Sequence, residues 1–192
     1  DYNKALIIKE DHENARINRA WAKSDIGDHK GGIKDFSYLI EIDPQNSYAF
    51  YGRAYIKETL GDHYAAISDY SKAIQLDPDY YSYAGRAYSK GEIGDHKGSI
   101  IDYTKAIEIN PNDESAYYNR GNSKTSIKDY YGAISDYTKV LEIDPKNKSA
   151  YKNRGIAKEN IGDLKGACSD WRQTIFLSPN SDDAAKWLKN QC

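Results

Sequence analysis

The chain has 192 residues, with 27 Lys+Arg against 29 Asp+Glu and a formal charge of −2, which excludes a global electrostatic pull toward nucleic acid or an anionic membrane. No apolar run approaches the roughly 20 residues of a membrane span. The two cysteines, Cys168 and Cys192, make no disulfide framework, which fits a reducing, cytoplasmic setting.

All five prolines recur at one place in a repeated phrase: Pro44, Pro78, Pro111, Pro145 and Pro179, spaced 34, 33, 34 and 34 residues apart. That period belongs to stacked two-helix units, so the expected fold is all-α, an α-solenoid. The chain opens in mid-phrase and has no methionine. Residues 1–12 are therefore expected to be the second helix of a truncated unit, with any targeting signal left open. Their Leu6, Ile7 and Ile8 would be partly unsheltered, so two such ends could associate through residues 1–9.

Five full units follow, at 13–46, 47–79, 80–113, 114–147 and 148–180. Each first helix carries an arginine (Arg19, Arg53, Arg86, Arg120, Arg154), then a small residue (Ala20, Ala54, Ala87, Gly121, Gly155), then a lysine and an aliphatic, spaced along one helical face. Gly-Asp ends it in four units: glycine suits the left-handed C-terminal position, and aspartate caps the next helix. Unit four has Lys128-Asp129 instead, at an expected cost of about 1 kcal/mol if Lys128 takes positive φ. Each second helix repeats an apolar stripe, from Ile33, Phe36 and Ile40 to Cys168, Trp171 and Ile175, which faces a core. Cys168 takes a slot filled by isoleucine elsewhere and reads as core. Small residues on that helix (Gly32, Ala66, Ser99, Ala133, Ala167) allow close helix approach. The 33-residue interval lacks one residue between Pro78 and Arg86. The turn there should be tighter, or the helix should start late, with Tyr80 and Tyr81 absorbing the change. Residues 181–192 form a last helix that covers unit five with Trp187 and Leu188.

An aspartate recurs beside the arginines: Asp35, Asp69, Asp102, Asp136 and Asp170. Charges repeated at a helix interface are expected to pair, giving an arginine–aspartate ladder. His29, His63 and His96 hold one slot in successive units. Helices pack about 8–10 Å apart, too far for a shared metal. No nucleophile–base pair, phosphate loop or ligand spacing appears, so neither enzyme nor cofactor nor metal site is expected.

The small-residue slots, aromatic slots and terminal prolines together resemble the tetratricopeptide repeat family over residues 1–180. The resemblance implies antiparallel helix pairs in a right-handed superhelix, with first helices lining a concave groove. On that implication the groove offers Asn18, Trp21, Tyr48, Tyr51, Tyr55 and Tyr88 in its early half. Its later half offers Tyr118, Asn119, Asn122, Lys152 and Asn153. Aromatic rings give contact area at low entropy cost, and amides suit a peptide backbone. The partner expected is a protein or peptide, with no nucleic acid and no membrane. A clamp of basic residues for acidic tails is not present: Lys152 alone is basic among these slots. The alternative function is an architectural or oligomerising segment of a larger protein.

Overall fold

The computed structural model describes residues 2, 12–179, 186–189 and 192. Helix follows helix: α1 (Glu13–Asp25), α2 (His29–Ile42), α3 (Ser47–Thr59), α4 (His63–Leu76), α5 (Tyr80–Glu92), α6 (His96–Ile109), α7 (Glu114–Ser126), α8 (Tyr130–Ile143), α9 (Lys148–Asn160) and α10 (Leu164–Leu177). The fold is all-α, with no strand among the described residues. Two compact units divide the chain, Asp1–Asp95 with α1–α5 and His96–Cys192 with α6–α10. Inside each, every helix packs on its sequence neighbours, and first helices also touch directly: α1 with α3, α3 with α5, and α7 with α9. The half unit at residues 1–12, and self-association through residues 1–9, fall almost wholly outside the described residues.

Local chemistry explains where the helices begin and end. Asp28, Asp62, Asp129 and Asp163 each accept from the backbone N–H three residues on, filling one of the donors that a helix start leaves unpaired. Gly27, Gly61 and Gly162 directly before three of them, and Gly94 before Asp95, take φ of +85°, +77°, +84° and +83°. Lys128 takes the same left-handed turn at φ +64°, a conformation that clashes Cβ with the following carbonyl oxygen. Lys128→Gly is therefore expected to raise stability by about 1 kcal/mol, read as a later urea midpoint at unchanged slope. An unmoved midpoint would mean that Lys128 is held there without strain.

The short interval is taken up in the turn. The other turns place the N-cap two residues past proline, at Asn46, Asp113 and Asn147. In α5 the cap is Asp79, directly after Pro78, and the helix keeps the 13-residue length of its counterparts. Asp79 alone absorbs the change by extending to φ −131°, ψ 161° and accepting from the N–H of Tyr81 and Ser82. The expectation that Tyr80 and Tyr81 would do so is corrected.

The apolar stripes form the cores. In the first unit Phe36 and Ala20 are fully buried with Leu39, Ala49 and Ile56; in the second, Tyr137 joins Ala133 and Ala157. Close approach is real: a Cβ on Gly52 would stand 2.3 Å from the Phe36 ring, and one on Gly155 would stand 2.4 Å from Trp171 Nε1. Both glycines are where an aromatic ring fills the space a side chain would need.

The charged ladder forms, and it is richer than arginine with aspartate. Arg53 Nε donates to Asp69 Oδ2 at 2.8 Å and Lys57 Nζ to the same oxygen at 2.7 Å. In the second unit Arg120 and Lys124 hold Asp136, and Arg154 and Lys158 hold Asp170, at 2.7–2.8 Å. Asp35 has Arg19, Lys23 and Arg16. Burial would raise its carboxyl, but the hydrogen bonds and charges of Arg19 and Lys23 outweigh that and hold it below 3.8. Four of the arginines also reach back to a hydroxyl on the preceding second helix: Arg53 to Ser37, Arg86 to Ser71, Arg120 to Thr104 and Arg154 to Thr138, all at 3.0–3.1 Å. Ser71, Thr104 and Thr138 donate to the carbonyl four residues back, which leaves an oxygen lone pair for the guanidinium.

At the end of the second unit Trp187 and Leu188 pack, with Ile175, on the Ala167–Trp171 core, with the tryptophan rings 5.4 Å apart. The covering contact expected of this segment is present in its described part, while residues 181–185 and 190–191 lie outside the description. The cysteine expectation is corrected: Cys168 is buried as expected but is disulfide-bonded to Cys192, with Cα atoms 5.9 Å apart. The bond ties the terminus to the second helix of the last pair.

Candidate partner-binding surface

In the first unit the faces of α1, α3 and α5 carry a continuous set of rings. Trp21 Nε1 donates to the Tyr48 hydroxyl at 3.2 Å, and its ring meets Tyr55 edge-on at 5.5 Å. Tyr51 lies at 5.8–6.4 Å from Tyr48, Tyr55, Tyr70, Tyr81 and Trp21. Tyr48, Tyr55 and Tyr88 remain 47%, 44% and 43% exposed, and Asn18 is exposed on α1. Tyr51 differs: it is half-buried against the Ala54–Tyr70 core, and burial pushes its phenol up to about 12, with Tyr48, Tyr55, Asp79 and Glu58 adding to the effect. Among the sequence candidates of this unit, Asn18, Tyr48, Tyr55 and Tyr88 present free surface, whereas Tyr51 supports it from beneath.

Glu58 was not singled out by sequence. Its Oε2 accepts from the Tyr70 hydroxyl at 3.1 Å and the Ser89 hydroxyl at 3.2 Å, so one carboxylate joins α3, α4 and α5. Burial raises its carboxyl above the usual value, with the two hydroxyls opposing and Glu92 adding to the rise. Burial and the adjacent Glu58 also push the Tyr70 phenol up. The matching slot holds Ser24, Gly91, Thr125 and Glu159, and that variability within a strict repeat was the available signal.

The second unit is built from amides. Tyr137 donates to Asn122 Oδ1 at 2.8 Å, and Asn153 Nδ2 donates to the same oxygen at 3.0 Å and to the Tyr118 hydroxyl at 3.1 Å. This network fixes both side chains while leaving the Asn122 amide N–H₂ and the Asn153 carbonyl oxygen unbonded to the described residues, a donor and an acceptor such as a peptide group requires. Asn119 and Tyr118 line an open cavity of about 250 Å³ with Glu114, Ser115, Asn147 and Ser149. Lys152 is drawn toward the chain's own terminus, its ammonium 5.5 Å from the Trp187 ring centre. No group of three His, Cys, Asp or Glu residues comes together among the described residues. His29 meets Ser24 at 3.1 Å and His63 meets the Tyr88 ring.

Family models described as tetratricopeptide repeat match residues 47–80 and 115–147, and one described as TPR repeat matches residues 85–124. Among solved structures the chain is similar to YrrB, described as a TPR protein with an unusual peptide-binding site. The identity is 19% and the TM-score 0.88, covering 98% of this chain and 97% of that one. It is also similar to residues 41 to the end of MamA from Desulfovibrio magneticus RS-1, at 17% identity and TM-score 0.82, over 90% of this chain and 98% of that one. The first TPR of Spaghetti (RPAP3), bound to the HSP90 peptide SRMEEVD, matches 58% of this chain and 88% of its own at 22% identity and TM-score 0.56. At such identities the likeness speaks to the fold. No curated protein matches in sequence.

Proposed function

This chain belongs to the tetratricopeptide repeat family, and from that premise we propose that it is a non-catalytic scaffold holding an extended segment of a partner protein along its first-helix faces. The observation that carries this is the exposure of Tyr48, Tyr55 and Tyr88. A repeat that needed these rings only for packing would bury them, as it buries Phe36, Tyr70 and Tyr137. Exposed rings held by their neighbours offer contact area without ordering cost on binding. The second unit by itself offers an amide pair suited to a peptide backbone. RPAP3 is bound to the acidic peptide SRMEEVD, but the faces described here present phenols and amides, so an acidic tail is not the proposed occupant.

The test is selection of a phage-displayed dodecapeptide library on the purified protein. Recovered peptides are expected to lose about 1–3 kcal/mol of affinity on a Tyr55→Ala/Tyr88→Ala variant whose melting is nearly unchanged. Tyr51 is unsuited to this test because removing it opens a core. Peptides that bind the variant as well as the parent would overturn the reading. A cytoplasmic placement, expected from the sparse cysteines, is kept as a proposal with its own check. In the cytosol the Cys168–Cys192 pair would be held reduced, so finding it oxidised in freshly alkylated cells would exclude that compartment.

A further inference from the structure

We propose that Glu58, bonded to the Ser89 that follows Tyr88 and one helical turn beyond Tyr55, is a socket for one lysine or arginine side chain of a bound peptide; this rests on the groove reading above. Two observations converge on it. The carboxylate is half-buried and bonded through one oxygen to two neutral hydroxyls, Tyr70 and Ser89. No lysine or arginine pairs with it among the described residues: its chain neighbour Lys57 is committed to Asp69 at 2.7 Å. A partly desolvated charge without a counter-charge is costly to the free protein, and a ligand that supplies the missing cation recovers that cost.

The surroundings select the sign and shape of the occupant. Tyr55 lies one helical turn before Glu58 on α3, and Tyr88 adjoins Ser89 on α5; both rings are more than two-fifths exposed. Exposed phenol faces attract ammonium and guanidinium groups. The charges that reach this cluster are acidic: Glu92 acts on Glu58 and Tyr88, and Asp79 acts on Tyr51. An anionic residue entering here would meet Glu58 and Glu92, and an apolar one would leave the carboxylate unmatched. A long basic side chain satisfies the carboxylate with its head while its methylenes lie on the rings. Burial holds the free Glu58 carboxyl above its usual value, consistent with a charge awaiting a partner.

The experiment takes the dodecapeptides selected on the wild-type protein and remakes the best with each lysine or arginine replaced by norleucine. The expected result is a basic residue at one shared position, whose replacement weakens binding to the wild type at least about ten-fold. On Glu58→Gln the same replacement should cost little, because the two changes remove one interaction. Peptides that depend on Tyr55 and Tyr88 but share no basic position, or lose equally on both proteins, overturn the socket and leave the groove reading intact. If no peptide depends on those tyrosines, both fall. Spermidine binding as tightly as the best peptide would assign the site to free polyamines and overturn the proposal. Glu58→Gln removes an unmatched charge and should fold. If it does not, Tyr55→Leu replaces it in the cycle, deleting the ring face and keeping the carboxylate, and must show the same coupling or the proposal fails.

Discussion

Replacing Arg120 and Lys124 together by alanine is expected to cost about 3–5 kcal/mol, the range for stripping the partners from a buried charge. The side chain of Asp136 is only 3% exposed and both of its salt bridges come from these two residues. Neither loss can be made good by water without opening the stack. Arg120→Ala alone should cost less, because Lys124 stays at 2.8 Å from the second carboxylate oxygen. The contrast is Lys139, whose pair with Glu142 lies within one helix turn at the surface: Lys139→Ala should leave the urea midpoint in place. A double variant that unfolds with the wild type would show that the ladder contributes nothing. Acid approaches the ladder from the carboxylate side, at the Asp35 rung of the first unit. The folded Asp35 carboxyl sits below its usual 3.8, so its contribution is present above that pH and is lost as pH falls through the lower folded value.

The second large effect is expected from the disulfide. Cys168 and Cys192 are separated by 24 positions, and closing a loop of that size lowers the entropy of the unfolded chain by about 3 kcal/mol at room temperature. Cys192→Ser should therefore unfold at lower urea than the oxidised wild type, and dithiothreitol should bring the wild type down to the variant while leaving the variant unmoved. Trp171 and Trp187 stack at 5.4 Å, so tryptophan fluorescence should report the loss before the helical signal does. Identical midpoints with and without reductant would mean that the terminal segment stays docked by packing alone.

The period, the helix ends and the ladder carboxylates were legible because each recurs five times over, and recurrence converts a weak local signal into a constraint on every copy. Lys128 shows how far that reaches: a single departure from glycine was enough to locate its positive φ. What recurrence could not supply is whatever occurs once. Cys192 stands outside the repeat, so the spacing that marks Cys168 as core says nothing of its partner. Tyr51 and Tyr55 share a helix and a residue type, yet Tyr51 turns under its neighbours and Tyr55 does not; only the packing of α4 and α5 decides between them. Glu58 was hidden for the opposite reason, since one carboxylate on a highly charged surface looks ordinary until Tyr70 and Ser89 are seen to close on it. The hydroxyls at Ser37, Ser71, Thr104 and Thr138 did recur, but serine and threonine on a helix ordinarily read as surface, and their role depends on an arginine from the next pair.

Those hydroxyls give the array a direction. Arg53, Arg120 and Arg154 each donate both to their own pair's aspartate and to the previous pair's hydroxyl, so each of these junctions is made by a donor on the later side meeting an acceptor on the earlier one. The position that would offer the next acceptor, two residues beyond Asp170, is Arg172, exposed on α10. A further copy docking there by the same rule would bring guanidinium against guanidinium, whereas the four earlier junctions among the described residues bring guanidinium to a lone pair. At this last pair a single changed side chain removes the acceptor on which the described earlier junctions rely.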